Sequence, residues 1–328
     1  PEEMKRKDFY FLLKLFVGWR LILFLFLFLA IKFVILQNDF LGGRMVNYLE
    51  NPWLWAWVNF DGEHYLSIAR KGYEPLTYFF FPFYPLLSRI FAELFNKSVF
   101  SYVFSGLFIS HVATLLSIVG LWKLLRIDYK EEVSKKTILF LLLFPTSFYL
   151  VSYYTESTFL ALIIWSFYFA RRGNYFLAGI LGGVSTATRI VGLALIPALT
   201  LEAIKDGRKN LLPKILGILL IPLGLFIYMY YLKLGTGDPL EFFNTITVFG
   251  EQRSSEMVLL PQVFFRYFFK ILPNLNYSSF HVIFSTLLEV LIGTLFFVLS
   301  LIAFLKIRIS YAVYFLVGYL IPTLSGSF

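Results

Sequence analysis

Long apolar runs constrain this chain more than any other feature of its sequence. The first run, residues 11–36, exceeds the ~20 residues that a helix needs to cross the hydrocarbon core of a bilayer. It is also too long for a signal-peptide core and lacks a small-residue cleavage site, so we expect it to remain as a helix. Hydrophobic residues make up 59% of the chain and charged residues 15%, against roughly 25% charged residues in a soluble domain. The sequence therefore predicts an all-α polytopic membrane protein.

The apolar runs predict about nine spans within a single domain, residues 1–328. The predicted spans are 11–36, 101–125, 137–153, 156–170, 175–190, 191–204, 211–233, 281–305 and 311–326. The runs between residues 137 and 190 are short and contain Pro145 and the Gly-rich stretch AGILGGVSTATR. We expect some of these spans to be tilted, broken or incompletely crossing the bilayer, since neighbouring elements can satisfy the freed backbone groups.

The distribution of basic residues predicts the orientation of the chain. Lysine and arginine concentrate in cytoplasmic loops of membrane proteins, so the segments that carry most of them are assigned to that side, together with the N-terminus. These basic residues are Lys5, Arg6, Lys7, Lys14, Lys123, Arg126, Lys130, Lys135, Lys136, Arg171, Arg172, Lys205, Arg208, Lys209, Lys214, Lys306 and Arg308. The two long loops, 37–100 and 234–280, are then extracytoplasmic, and more than half of the chain's 20 acidic residues fall on their side.

Several classes of function are disfavoured by what the chain contains. The net charge of +9 reflects the cytoplasmic loops, so we expect no nucleic-acid partner. The chain has no cysteine, which excludes disulfides and cysteine metal sites. Motifs of the Walker A, G-x-G-x-x-G and H-E-x-x-H types are also missing from the sequence. The missing motifs favour a lipid-linked donor over a nucleotide sugar. The acidic residues that collect on one face favour an enzyme that works at that membrane face over a transporter, in which ionisable residues lie mid-membrane.

The stretch FDGEHYLSIARKGYEP, residues 60–75, is unusually polar for this chain. Residues 61–71 are expected to form a short helix in which Asp61, His64 and Tyr65 share a face, while Glu63 points elsewhere. Spacing alone leaves two interpretations of Asp61 open, because aspartate is also a favoured N-cap. His64 alone is more typical of a hydrogen-bonded surface histidine than of a ligand.

The residues around this stretch are typical of a membrane interface. The segment YFFFPFYPLLSRIFAEL, residues 78–94, opens with aromatic residues and prolines and continues as an amphipathic helix. Such a helix lies on a bilayer rather than crossing it. The tryptophans at positions 53, 55 and 57 fit an interfacial aromatic belt.

Four stretches, in order, resemble the GPI mannosyltransferase 2 (PIG-V) family and its prokaryotic relatives, which are GT-C glycosyltransferases. FDGEHYLSIARKGY with the later FFPFYP is similar to the family's first-loop signature. The other three stretches are FPTSFYLVSYYTES (144–157), RRGNYFLAGILGGVSTATRIVG (171–192) and GDPLEFF (237–243). The chain departs from the family pattern at Phe60, where relatives usually have tryptophan. Relatives also continue beyond the equivalent of Phe328 through an arginine-containing segment, so we expect the chain to be truncated at its C-terminus.

The resemblance implies a GT-C fold and an inverting mannosyltransferase. Its donor is expected to be a polyprenyl-phosphate sugar in the membrane, and its acceptor a glycolipid, a glycan or a protein. Two alternatives remain open: transfer of another polyprenyl-phosphate sugar, and transport or flipping of a lipid-linked sugar. A prokaryotic cell membrane is favoured over the endoplasmic reticulum as the location.

The resemblance also implies roles for individual residues. Asp61 is the expected general base, which takes the acceptor's proton. The expected donor-phosphate and substrate-binding residues are Arg189, His64, Tyr65, Glu156, Tyr84 and Arg253. Arg189 lies in an apolar span, where an unpaired arginine is costly, so it is expected to contact the phosphate, to pair with Glu156, or both. No cofactor is expected, with a divalent cation between Asp61 and Glu63 as the open alternative.

Overall fold

The computed structural model describes residues 4–36, 45–207, 211–245, 257–275, 277 and 280–325. Within these ranges every regular element is helical, as the sequence predicts. The first seven α-helices are α1 (Arg6–Phe33), α2 (Met45–Glu50), α3 (Pro52–Trp55), α4 (Asp61–Lys71), α5 (Phe83–Glu93), α6 (Val99–Asp128) and α7 (Glu131–Leu143). The next five are α8 (Glu156–Arg171), α9 (Tyr175–Thr186), α10 (Leu195–Lys205), α11 (Leu211–Leu219) and α12 (Leu223–Thr236). The remaining four are α13 (Glu241–Asn244), α14 (Leu260–Phe265), α15 (Phe280–Lys306) and α16 (Ile309–Thr323).

Four helical stretches are long and apolar enough to cross a membrane. They are Arg6–Phe33, Val99–Asp128, the α11–α12 pair from Leu211 to Thr236, and Val282–Lys306. Their apolar side chains are widely exposed; in α1, for example, Leu21 is 64% and Phe26 63% exposed. Lipid contact accounts for such exposure, since water would disfavour apolar patches of this size. These stretches indicate an integral membrane protein, and the remaining five predicted spans stay a prediction.

Two of the predicted spans are interrupted where the sequence contains helix-breaking signals. The span predicted at 137–153 ends as a helix at Leu143, and Phe144 is extended (φ −63°, ψ 135°) before Pro145. Proline disfavours the helical conformation of the residue before it. The chain then forms a 3₁₀ turn, Ser147–Val151, and becomes helical again only at α8.

The second interruption lies between α9 and α10. The span predicted at 175–190 is helical only to Thr186, and Arg189 is extended (φ −156°, ψ 140°). A 3₁₀ turn, Ile190–Ala194, then leads into α10. Both interruptions carry polar residues of the candidate site, so the broken helices create the place where these residues can meet.

The segment after α1 folds back along that helix. Trp53 stacks on Phe28 with ring centroids 6.2 Å apart, and Trp57 contacts Phe24 edge-on at 5.9 Å. Trp55 and Trp57 are only 8% and 7% exposed, while Trp53 is 45% exposed. The prediction of an interfacial belt is therefore wrong for two of the three tryptophans. Trp57 packs with Phe16 and Trp19 of α1, whereas Trp55 packs in a cluster with Tyr65 of α4.

Helix α5 has the amphipathic character that the sequence predicts. Tyr84, Ser88 and Ala92 are buried, and this helix packs against α6. The opposite face exposes apolar side chains, among them Leu86 and Ile90, which are 54% and 51% exposed. Arg89 pairs with Glu93 at 2.9 Å one turn away. This division suits a helix that lies at a membrane interface.

Paired charges tie the helices together at the predicted cytoplasmic end. Arg171, the last residue of α8, binds both carboxylate oxygens of Asp128 at 2.5 and 2.8 Å. Arg308 binds both oxygens of Glu202 at 2.5 and 2.7 Å. Tyr311 donates to Asp128 at 3.1 Å. This charge network, defined as Asp128, Arg171, Glu202 and Arg308, connects α6, α8, α10 and the start of α16.

Candidate functional site

The proposed base, Asp61, follows a strained turn. The amide of Gly62 donates to the carbonyl of Asn59 at 3.1 Å, and Phe60 between them has φ 54° and ψ −123°. These angles are those of the first central residue of a type II′ turn, a position that favours glycine. Phe60 occupies the N-cap of α4, and Asp61 is the first helical residue and is exposed. The interpretation of Asp61 as the N-cap is therefore wrong.

The chain segment before α8 holds this turn in place. The amide of Tyr153 donates to the carbonyl of Trp57 at 2.8 Å. The hydroxyl of Tyr154 donates to the carbonyl of Asn59 at 2.9 Å. On its other side, the ring of Tyr153 occupies the space beside Gly106, where an added Cβ would lie 2.1 Å from the ring. The turn before Asp61 is thus fixed against the middle of α6.

Glu156 and Arg189 form an ion pair beside this turn. The Nη1 of Arg189 lies 2.6 Å from the Oε1 of Glu156 and 3.3 Å from the Oγ1 of Thr155. The arginine side chain is 42% exposed and the glutamate side chain 32% exposed. The predicted pairing is confirmed, and part of the arginine side chain stays exposed beside it.

Tyr65 lies between the turn that precedes Asp61 and the ion pair of Glu156 with Arg189. Its hydroxyl is 3.5 Å from the Oγ1 of Thr155, which is long for a hydrogen bond between hydroxyls. Burial raises the pKa of the Tyr65 phenol above its ordinary value, and the positive charge of Arg189 opposes this shift. The negative charges of Glu156 and Asp61 also act on this phenol. These four residues, which we call the central cluster, therefore surround one region.

His64 and Tyr84 lie at the edge of the central cluster. The ring of His64 stacks on Phe80, with centroids 4.7 Å apart. Tyr84 is fully buried, and its hydroxyl donates to the carbonyl of Gly106 at 2.9 Å and contacts Ser110 at 2.9 Å. Its hydroxyl is thus committed to α6, so Tyr84 supports the site from behind rather than presenting a group to a substrate.

Arg253 and Glu63 are the remaining candidates that the sequence analysis named. Arg253 lies outside the described residues. Glu63 is half-buried in the first turn of α4, two residues after Asp61. Among the residues that the structure describes, no three histidine or carboxylate side chains come together as a metal-binding group.

The structure adds aromatic residues that sequence reasoning missed. Tyr149 contacts Tyr154 at a ring distance of 4.9 Å. Burial raises the pKa of Tyr154, with the charge of Asp61 as the next cause. The signal was present in the sequence, since both tyrosines belong to the stretch FPTSFYLVSYYTES, from which only the glutamate was selected.

Arg20 was also missed, although it is a charged residue within an apolar run. Its side chain is 9% exposed, and its guanidinium carbon lies 4.3 Å from the ring centre of Phe24 and 4.4 Å from that of Trp57. In the part of the chain that the structure describes, its Nη1 is buried without a hydrogen-bond partner. Arg20 therefore lies against Trp57, two residues before the turn that begins at Asn59.

Comparison with known proteins yields one match. The family model described as Mannosyltransferase (PIG-V) matches residues 8–214, a range that contains every member of the central cluster. No curated protein and no solved structure matches the chain.

Proposed function

The chain belongs to the PIG-V mannosyltransferase family, and we propose that it transfers mannose from a polyprenyl-phosphate donor to an acceptor hydroxyl, with inversion at the anomeric carbon. One observation carries this proposal. Asp61, Tyr65, Glu156 and Arg189 come from three separate segments of the chain and meet as a base, a buried phenol and an accessible cation. We also propose that these helices form a GT-C fold.

Asp61 is the general base in this mechanism. As the acceptor oxygen forms a bond to the anomeric carbon, its proton passes to the carboxylate of Asp61, and the bond from that carbon to the phosphate oxygen breaks. The products are the mannoside and polyprenyl phosphate. A single displacement of this kind inverts the anomeric carbon. It needs no carboxylic acid for the leaving group, unlike the hydrolysis of a glycosidic bond.

Arg189 stabilises the departing phosphate. Negative charge develops on the phosphate oxygens as the bond breaks, and a preorganised cation lowers the energy of that state. The ion pair with Glu156 uses one edge of the guanidinium and holds its position. The exposed remainder of Arg189 supplies further donors in a planar arrangement that suits phosphate. The charge supplied by Arg189 is consistent with a mechanism that uses no metal ion.

The donor reaches the site from within the bilayer. Exposed apolar side chains on the four candidate spans provide a lipid-facing perimeter, and the sequence lacks nucleotide-binding motifs. We propose that the reaction takes place on the extracytoplasmic face, because the loop containing Asp61 is predicted to lie on the side with few lysines. The resemblance to prokaryotic relatives favours a prokaryotic cell membrane.

Asp61→Asn tests the proposed base. The amide keeps the size of the side chain but cannot accept the proton, so we expect transfer from polyprenyl-phosphate mannose to fall by roughly 10²–10⁴-fold. Glu74→Gln is the matched control, since this glutamate is in the same loop, 53% exposed and 3.9 Å from Lys71. Transfer should be measured with purified, folded variants. An Asp61→Asn protein with near-normal transfer would contradict the mechanism.

The same assay separates mannose from other sugars. A panel of polyprenyl-phosphate sugars should show preferential transfer of mannose, and GDP-mannose should not serve as a donor. Movement of a lipid-linked sugar across proteoliposomes without any transfer would instead support a flippase. Direct transfer from GDP-mannose in the absence of lipid carrier would overturn the proposed donor.

A further inference from the structure

Tyr149 carries a hydroxyl group beside the central cluster that the proposed mechanism does not use. We infer that this hydroxyl binds the sugar ring of the donor, which makes Tyr149 a further substrate-binding residue. The inference rests on the proposed function and deepens it. Asp61 and Arg189 act on the reacting oxygens, whereas Tyr149 recognises the sugar that is transferred.

The backbone and the ring of Tyr149 are both held in place. The residue lies in the 3₁₀ turn Ser147–Val151, which follows the interruption after α7. Its carbonyl accepts a hydrogen bond from the amide of Ser152 at 3.2 Å. Its ring contacts those of Phe148 and Tyr154, with centroids 4.2 and 4.9 Å away. The hydroxyl of Tyr149 is therefore positioned before any substrate binds, which reduces the entropy lost on binding.

Tyr149 borders the space between the two carboxylates of the central cluster. Tyr154, whose ring it contacts, donates to the carbonyl of Asn59 at 2.9 Å, in the turn that precedes Asp61. The negative charges of Glu156 and Asp61 both act on the phenol of Tyr149. The ring contact and the two charges therefore place this side chain beside the proposed base and beside the glutamate that holds Arg189.

Neighbouring tyrosine hydroxyls are committed to the protein, and that of Tyr149 is not. The hydroxyl of Tyr84 donates to a carbonyl of α6 at 2.9 Å, and that of Tyr153 lies 2.5 Å from the Oγ of Ser88. The hydroxyl of Tyr149 forms no hydrogen bond with any residue that the structure describes. Its side chain is half-buried, and the oxygen is not enclosed. A phenol in this state can both donate and accept a hydrogen bond with a ligand.

The geometry of the proposed displacement identifies the sugar as the partner of this hydroxyl. The attacking and leaving oxygens lie on opposite faces of the anomeric carbon when its configuration inverts. Asp61 serves the attacking oxygen and Arg189 the leaving phosphate, so the sugar ring lies between these two side chains. Tyr149 borders the same space. Sugar hydroxyls are groups that a phenol can pair with, whereas an isoprenoid chain offers no hydrogen-bonding group.

Tyr149→Phe removes the hydroxyl and keeps the ring contacts. We expect the variant to bind polyprenyl-phosphate mannose about three- to tenfold more weakly, as expected for the loss of one neutral hydrogen bond. Its affinity for polyprenyl phosphate without a sugar should equal that of wild type. Both affinities are measured by native mass spectrometry on the full chain. The unfolding temperature should not change, because no hydrogen bond between described residues is lost.

Two other tyrosines provide controls for this variant. Tyr230 is 64% exposed on α12, is not part of the central cluster, and also lacks a hydrogen bond to any described residue. Tyr230→Phe should therefore change neither affinity. Tyr154→Phe loses the hydrogen bond to the carbonyl of Asn59 and should lower the unfolding temperature. A purely structural role for Tyr149 would give its variant the same loss of stability.

Donors that lack one mannose hydroxyl at a time identify the hydroxyl that Tyr149 binds. Removing that hydroxyl should weaken binding to wild type about as much as Tyr149→Phe does. Its removal should have no further effect in Tyr149→Phe, because the two changes break the same hydrogen bond. Losses that add at every position of the sugar would overturn the inference.

The comparison of the two ligands also separates this inference from the proposed function. Equal weakening of both ligands in Tyr149→Phe would assign the residue to the phosphate or the lipid and overturn the inference. Unchanged binding of both ligands would overturn it as well, and the proposed function would stand if the wild type transfers mannose. If Tyr149→Phe weakens only the mannosylated lipid and the wild type transfers no mannose, the proposed function fails while the sugar-binding role of Tyr149 stands.

Discussion

Arg189 has two roles in its ion pair with Glu156. It neutralises the carboxylate, and it offers hydrogen-bond donors to a substrate phosphate. Its side chains are 42% and 32% exposed, and the Oε2 of Glu156 is buried without a hydrogen-bond partner in the described part of the chain. The arginine therefore compensates a half-buried carboxylate. The glutamate also orients the guanidinium, and the exposed part of the arginine side chain remains available to a substrate phosphate.

Variants of Arg189 are expected to lower activity more than stability. Arg189→Ala should reduce transfer by roughly 10²-fold, as expected when one stabiliser of a developing charge is removed. Arg189→Lys should retain part of the activity, because it keeps the charge but loses the planar donor arrangement. The measurements are transfer rate and thermal unfolding in detergent.

The double variant Arg189→Ala with Glu156→Gln separates the two roles. If Arg189 served only to neutralise Glu156, removing both charges would restore activity. We expect the double variant to stay as inactive as Arg189→Ala, and a double-mutant cycle reports the coupling between the two side chains. Recovery of full activity would assign Arg189 a purely structural role.

The turn before Asp61 stores backbone strain at the proposed base. Phe60 has φ 54°, a conformation that costs a side-chain-bearing residue of order 1–3 kcal/mol. Phe60→Gly should therefore raise the free energy of unfolding by about 1 kcal/mol. It should also lower transfer, because a flexible turn holds Asp61 less firmly. The free energy of unfolding is measured by denaturation, and transfer is measured by initial rates.

Lys97 supplies the control for Phe60. It also has φ 54° but lies just before α6, away from the central cluster. Lys97→Gly should stabilise the protein without changing transfer. A Phe60→Gly protein that is no more stable than wild type would show that the aromatic ring, rather than the backbone, determines the energy of this turn.

At the scale of elements, close backbone packing determines where Arg189 lies. Helix α9, which ends three residues before Arg189, packs against α11 and α12 through glycines. A Cβ added to Gly224 would lie 1.9 Å from the carbonyl oxygen of Gly183, and one added to Gly179 would lie 1.9 Å from that of Gly217. Small residues allow helices in membranes to approach in this way. The glycine-rich stretch therefore determines the position of the interruption that carries Arg189.

Gly224→Ala is expected to disturb the central cluster, although Gly224 is not one of its residues. The added methyl group requires α12 to move away from α9, so we expect a lower unfolding temperature and reduced transfer. Gly235→Ala in the same helix is the control, since an added Cβ there meets no atom within 4 Å. Stability and transfer of this control should match wild type. Normal stability of Gly224→Ala would mean that the helices tolerate a wider separation than their packing indicates.

The sequence predicted those elements whose signals are local. The helix at 61–71 matches α4, because its polar and apolar positions follow a helical period, and the long apolar runs gave α1, α6 and α15. The interruption near Pro145 was foreseen only as a possibility, because the effect of one proline depends on its neighbours in space. The burial of Trp57 could not be predicted, since it depends on the fold-back along α1.

In the candidate site, too, residues with a local sequence signal were predicted, and residues whose position depends on contacts in the fold were not. The polar stretch after residue 60 identified Asp61, and a lone arginine in an apolar span led to Arg189 and its partner Glu156. Tyr84 fits the motif, but its position behind the site follows from contacts with Gly106 and Ser110. Arg20 was not selected because sequence alone does not reveal that a charge lacks a partner.

At the scale of the whole molecule, charged groups gather at two ends of α8. Glu156 begins this helix and belongs to the central cluster, while Arg171 ends it and belongs to the charge network. Fifteen residue steps separate them, which is about 22 Å along a helix. Glu202 in the charge network is only 2% exposed, so the network anchors that end of the bundle. A fixed far end of α8 keeps Glu156, and through it Arg189, in position.

This arrangement makes the orientation of the chain testable with two single cysteines. The native chain contains no cysteine, and Glu74 and Lys136 are exposed by 53% and 65% on opposite sides of the predicted topology. Their ion pairs are open to solvent, so replacing them should leave the fold intact. In intact cells a membrane-impermeant thiol reagent should label Glu74→Cys, and it should label Lys136→Cys only after permeabilisation. The reverse pattern would place Asp61 on the cytoplasmic face, and the donor would then have to be drawn from the cytoplasmic leaflet.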